Sequence, residues 1–88
     1  MQKYKGYNKD DSNFKILFEN SVMMVGHIFE IAYCYNKLTK EEFAVFEFED
    51  DPICAIVGQN NDWCLIGGDV LILKTWVDNT VRLVGNIK

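Results

Sequence analysis

The 88-residue chain predicts an all-β domain, and three observations carry that reading. Short apolar runs rich in β-branched and aromatic residues recur along it. Turn-forming Gly, Asn and Asp clusters separate the runs at short intervals. The last third, from Asp62 to Lys88, reads as an antiparallel meander: Trp63 to Ile66, Val70 to Trp76 and Thr80 to Val84, parted by Gly67-Gly68-Asp69 and Asp78-Asn79. The expected architecture is a single antiparallel sheet of six or seven strands, curved into a small barrel or roll.

Taken in order, residues 1–12 are polar and predict an N-terminal arm on which Tyr4 and Tyr7 could dock, leaving 13–88 as one β domain. Phe14 to Glu19 alternates, so Phe14, Ile16 and Phe18 should share a face. Val22 to Leu38 reads as a strand with Phe29, Ile31, Tyr33 and Tyr35 on one side and Ile28, Glu30, Ala32 and Cys34 on the other. The alternative is a helix within residues 21–38, striped by His27, Ile31, Cys34 and Leu38, which would make the fold α+β. Asn36 to Glu42 is a loop or a single helical turn. Phe43 to Glu49 is a strand with Ala44, Phe46 and Phe48 inward and Val45, Glu47 and Glu49 outward. Asp50-Asp51-Pro52 ends it, because proline cannot donate to a ladder. Ile53 to Val57 follows, and no internal repeat is visible in the sequence.

The final hairpin can be read for its faces. A two-residue loop at Asp78-Asn79 would mix polarity on both sides. A three-residue loop, Val77-Asp78-Asn79 with Asn79 left-handed, pairs Leu73 with Leu83 and Thr75 with Val81 on a core face. It leaves Trp76 beside Thr80, Lys74 beside Arg82 and Ile72 beside Val84 on the outer face. Two facing cations repel, so something must neutralise them. Either Glu47 or Glu49 does so from a neighbouring strand, or an acidic partner does, anchored by Trp76 and Arg82. The candidate binding residues are therefore Trp76, Lys74, Arg82, Glu47 and Glu49.

Composition narrows the function classes. A net charge of −4 and an isoelectric point near 4.8 argue against a nucleic-acid binder, which needs surplus cations facing phosphates. No apolar run reaches the ~18 residues of a membrane span, and the basic N-terminus has no apolar segment after it to make a secretory signal. The three cysteines, Cys34, Cys54 and Cys64, sit in apolar runs without metal-type spacing. They read as reduced, buried thiols in a cytoplasmic compartment, with a Cys54–Cys64 bridge as the alternative.

No catalytic or metal motif emerges. On one continuous strand His27 and Cys34 would lie roughly 23 Å apart, too far for a catalytic pair. One His and three scattered Cys do not make a metal site, so no cofactor is expected. The acidic run Glu47 to Asp51 lacks the spacing of a calcium loop, and Gly67-Gly68-Asp69 precedes no helix that could hold a phosphate. The meander, with Trp76 near Asp78, has the outline of a propeller blade, but four blades of about 40 residues exceed this length. The sequence thus points to a small non-catalytic interaction protein, such as an inhibitor, antitoxin-like or accessory factor, or a homodimer joined through the two-sided apolar strand Val70 to Leu73. The second reading is a ligand-binding barrel lined by Phe29, Tyr33, Phe46, Phe48 and Trp63.

Overall fold

The computed structural model describes residues 11–86, and the arm expected over residues 1–12 lies, apart from Asp11 and Ser12, outside them. The described chain is all-β and contains no helix. Its strands are β1 (Phe14–Glu19), β2 (Met23–Ile28), β3 (Ile31–Asn36), β4 (Glu42–Glu47), β5 (Cys54–Val57), β6 (Trp63–Gly67), β7 (Val70–Thr75) and β8 (Thr80–Asn86). They form two antiparallel meanders, β1-β2-β3-β4 (sheet A) and β5-β6-β7-β8 (sheet B), not one curved sheet. Two features separate expectation from structure. The long segment from Val22 to Leu38 is a hairpin, folded at Phe29-Glu30, where Phe29 adopts φ 51°. The Asp50-Asp51-Pro52 stretch breaks the ladder between β4 and β5, so the second meander starts a new layer.

The core lies between the layers. Met23 and Val25 of β2 and Ala32 and Cys34 of β3 meet Cys64 and Ile66 of β6 and Ile72 of β7, all buried, with Phe48 closing one end. Within β3 the expected alternation of Ala32 and Cys34 against Ile31, Tyr33 and Tyr35 holds, with Ala32 and Cys34 inward, while Ile28, Phe29 and Glu30 lie outside that strand. In two other strands a bulge reverses it. β1 shifts register between Ile16 and Phe18, so Phe18 pairs with Val25 on the inner face while Phe14 and Ile16 lie on the outer one. β4 shifts at Val45, leaving Phe43 and Phe46 opposite the inward Cys34 and Ala32, and Ala44 opposite the outward Tyr33. An extra residue inverts the side-chain alternation beyond it, which strict period-two reading cannot anticipate.

The sheets are aligned in the same sense. The β1–β2 turn reaches the β5–β6 turn, where Asn20 Nδ2 donates to Asn61 Oδ1 at 2.9 Å. At the opposite end the Glu49 amide donates to Asp69 Oδ1 in the β6–β7 turn at 3.3 Å. Between the layers, β1 approaches β5 most closely. On the far side, Phe46 and Phe48 of sheet A and Leu83 of β8 border one cleft. Strand order and strand direction therefore coincide in the two layers, as in two copies of one unit stacked front to back.

The backbone bears this out. The β3–β4 bulge pairs Ala32 with Phe46 and Tyr33 with Ala44; the β7–β8 bulge pairs Leu71 with Gly85 and Ile72 with Leu83. Each position is displaced by 39 residues from its counterpart. The same displacement relates Lys40 (φ 67°) to Asn79 (φ 55°), the left-handed residues that close the two long turns. The sequence shows no internal repeat, as read, but the geometry of the β3–β4 hairpin recurs in β7–β8 at a displacement of 39 residues. Between Ile31–Glu47 and Val70–Asn86 only Val45 and Val84 are identical, so side chains conceal it.

Candidate functional site

The final hairpin determines where the candidate residues lie, and its register differs from expectation. Four residues, Trp76 to Asn79, form the turn. Thr75 pairs with Thr80, Lys74 with Val81 and Leu73 with Arg82. Asn79 is left-handed as foreseen, but the faces are inverted. Ile72 and Lys74 point into the core layer, and Leu73, Thr75 and Arg82 point away from it. Lys74 and Arg82 thus lie on opposite faces, and the repulsion argued from their pairing does not arise.

Lys74 is only 8% exposed. Its ammonium donates to Asn79 Oδ1 at 2.6 Å and sits 5.9 Å from the centroid of the Trp76 ring. An uncompensated buried charge is costly, and these two contacts supply compensation from within the same hairpin. Trp76 is half-buried and packs on the core at the end of the interlayer space, near Met23, Asn36 and Asn61. Arg82 is exposed. Glu47 and Glu49 are exposed at the opposite end, beside Asp69 and Leu83. The five candidates are therefore divided among three places.

The outer face of sheet B joins Leu73 and Thr75, expected on the core face, to Arg82 and Val84, expected on the outer one. Trp63, Leu65, Leu73 and Val84 line, with Thr75 and Arg82, a shallow concavity of about 400 Å³. Ile56, opposite Leu65, extends it and is 51% exposed; Val84 is 52% exposed. Arg82 is the single charge on the strands of this face. Trp63 is held flat by local geometry: its indole lies against Gly58, where a Cβ would collide with the ring. The Gly58 amide donates to the Trp63 carbonyl at 2.8 Å, which closes the β5–β6 turn. The alternation of Trp63 with Leu65 was visible in the sequence, but both of its faces are apolar, so polarity could not tell the inner from the outer.

The aromatic residues proposed to line a barrel are dispersed. Phe46 and Phe48 stack edge to face at 4.8 Å beside the core. Phe29 is exposed in a turn, Tyr33 is buried on the outer face of sheet A, and Trp63 lies on the outer face of sheet B.

Cys34 and Cys64 face each other across the layers with sulfurs 3.9 Å apart, whereas Cys54 is exposed on the outer face. Cys54 is thus not the buried small hydrophobe expected, and all three thiols are free. The hydrogen bond to Cys64, followed by burial, pushes the Cys34 thiol well above its ordinary range, against the opposing pull of the Lys74 charge. His27 does not lie on one continuous strand with Cys34, because the chain folds back between them. It is buried opposite Ala32, and its Nδ1 donates to the Phe29 carbonyl at 2.8 Å, which fixes the tautomer. Among the described residues no cluster of three or more His, Cys, Asp or Glu is placed to hold a metal ion, and no helix is long and apolar enough to cross a membrane. Comparison with family models, curated proteins and solved structures finds no match for this chain.

Proposed function

We propose that the protein is a small non-catalytic interaction module that binds through the outer face of sheet B. The observation that carries this reading is an interior-like surface left open. Ile56, Trp63, Leu65, Leu73 and Val84 form a contiguous apolar sheet face with a single cation, Arg82. Contiguous apolar area of this kind on a small domain marks a contact surface, and Trp and Arg are the residue types that dominate binding energy in such places. The partner's matching surface is an apolar β face that offers a carboxylate to Arg82. Trp63 takes the anchoring role first assigned to Trp76, and Arg82 keeps its own.

The test is affinity capture from the native host with the immobilised chain and with an Arg82→Ala/Val84→Glu variant. Partners retained by the wild-type chain and lost from a variant of unchanged thermal stability support the reading. The same set captured by both would sink it.

A further inference from the structure

Resting on the reading of the sheet B face as a contact surface, we propose that its occupant is a second copy of this chain. The second copy docks by the outer face of its sheet A, so that copies join head to tail into a closed ring.

Because strand order and direction coincide, the buried face of sheet A and the open face of sheet B are the same face of the repeated unit. The 39-residue shift says so residue by residue. The inward Ala32 and Cys34 correspond to the outward Leu71 and Leu73, and the outward Tyr33 corresponds to the inward Ile72. The contact between the layers is therefore heterologous, and it leaves one unsatisfied face of each kind at the two ends. Heterologous contacts of this type close into rings when the rotation permits. Four-stranded antiparallel meanders repeated around an axis, four to eight of them, are the architecture of β-propellers. With two sheets per chain, such a ring needs about two to four copies. The close approach of β1 to β5 fits the innermost position of the first strand of each sheet.

Charge complementarity points to the same occupant. The outer face of sheet A carries Ile16, Ile31 and Tyr35 with the carboxylates of Glu42 and Glu47, while Glu19 is already paired with Lys37 at 2.6 Å. The open face of sheet B carries Arg82. Two sheet B faces brought together would instead offer Arg82 no carboxylate on the strands of the facing sheet.

Light scattering on the full chain should give one discrete oligomer of two to four copies. Val84→Glu, on sheet B, and Ile31→Lys, on sheet A, should each give a folded monomer by circular dichroism. Mixing the two should restore a one-to-one pair, since each variant keeps one intact face. Arg82→Glu should weaken assembly. A wild-type chain that stays monomeric at high concentration overturns the proposal. So does a dimer abolished by Val84→Glu but untouched by Ile31→Lys, because that dimer would be isologous. In either case, capture of a different protein through Arg82 and Val84 would leave the interaction reading standing while removing this one.

Discussion

Lys74 donates a 2.6 Å hydrogen bond to Asn79, the left-handed residue that closes the β7–β8 turn. One asparagine thus does two things: it tolerates φ 55°, and it satisfies a nearly buried ammonium. Asn79→Gly should keep the turn and lose the hydrogen bond. Asn79→Ala should lose both, at a cost of about 2–4 kcal/mol, combining a charge-assisted bond with a left-handed alanine. Lys74→Met should change stability little, because removing charge and partner demand together avoids an orphaned ion. Denaturant unfolding of the three variants checks the order Lys74→Met, Asn79→Gly, Asn79→Ala.

Gly26 is fixed by its neighbours. A Cβ there would collide with the Phe14 ring and lie 2.5 Å from the Lys15 carbonyl oxygen. The ring can turn aside; the backbone of a paired strand cannot. Gly26→Ala should therefore cost about 1–3 kcal/mol by overpacking. Gly58→Ala meets only the Trp63 side chain. Its effect should appear as a shift in Trp63 fluorescence together with a smaller loss of stability. Equal destabilisation of the two variants with no spectral change at Gly58→Ala would contradict this assignment.

The strands were legible in the sequence because their turns were. Gly67-Gly68-Asp69, Asp78-Asn79 and Asp50-Asp51-Pro52 fall where chain reversals or breaks occur. The β2–β3 turn was hidden because Phe29 and Glu30 are not turn residues, and φ 51° at a phenylalanine carries no compositional mark. The faces were less legible than the strands. Bulges at Leu17, Val45 and Val84 each invert the alternation, and Val70 to Leu73 is apolar on both sides. In the last hairpin polarity misled outright. Lys74 turns inward because Asn79 and Trp76 receive it, while Leu73 stays on an open face. The candidate site inherited that inversion: Arg82 remained on the outer surface, but Trp63 was overlooked in favour of Trp76.

Asp78 sits at the tip of the same hairpin and accepts hydrogen bonds from the hydroxyls of Thr75 and, at 2.9 Å, Thr80. These bonds hold its carboxyl below the ordinary aspartate range, the Thr75 bond first. A carboxylate with a lowered folded-state pKa stabilises the fold above its ordinary value and ceases to do so as pH falls through the lowered one. Stability measured from pH 6 downward should therefore decline less steeply in Asp78→Asn than in the wild-type chain. Parallel profiles would show that the threonine bonds do not survive in solution.

The buried Cys34 thiol has the opposite dependence. The Cys64 hydrogen bond and burial keep Cys34 protonated beyond the ordinary thiol range of about 8.5–9. Below that range folded and unfolded chains bind the same proton, and the contribution is fully present. Above it the unfolded chain releases a proton that the native chain retains, so stability falls as pH rises, by at most about 1.4 kcal/mol per pH unit for one group. Cys34→Ala should flatten this alkaline limb. Reactivity gives an independent measure of the same environment: a thiol reagent at neutral pH should label the exposed Cys54 promptly and reach Cys34 and Cys64 only on unfolding. Labelling of Cys34 as fast as Cys54 in the folded protein would mean that the layers separate readily, and the alkaline limb should then be absent as well.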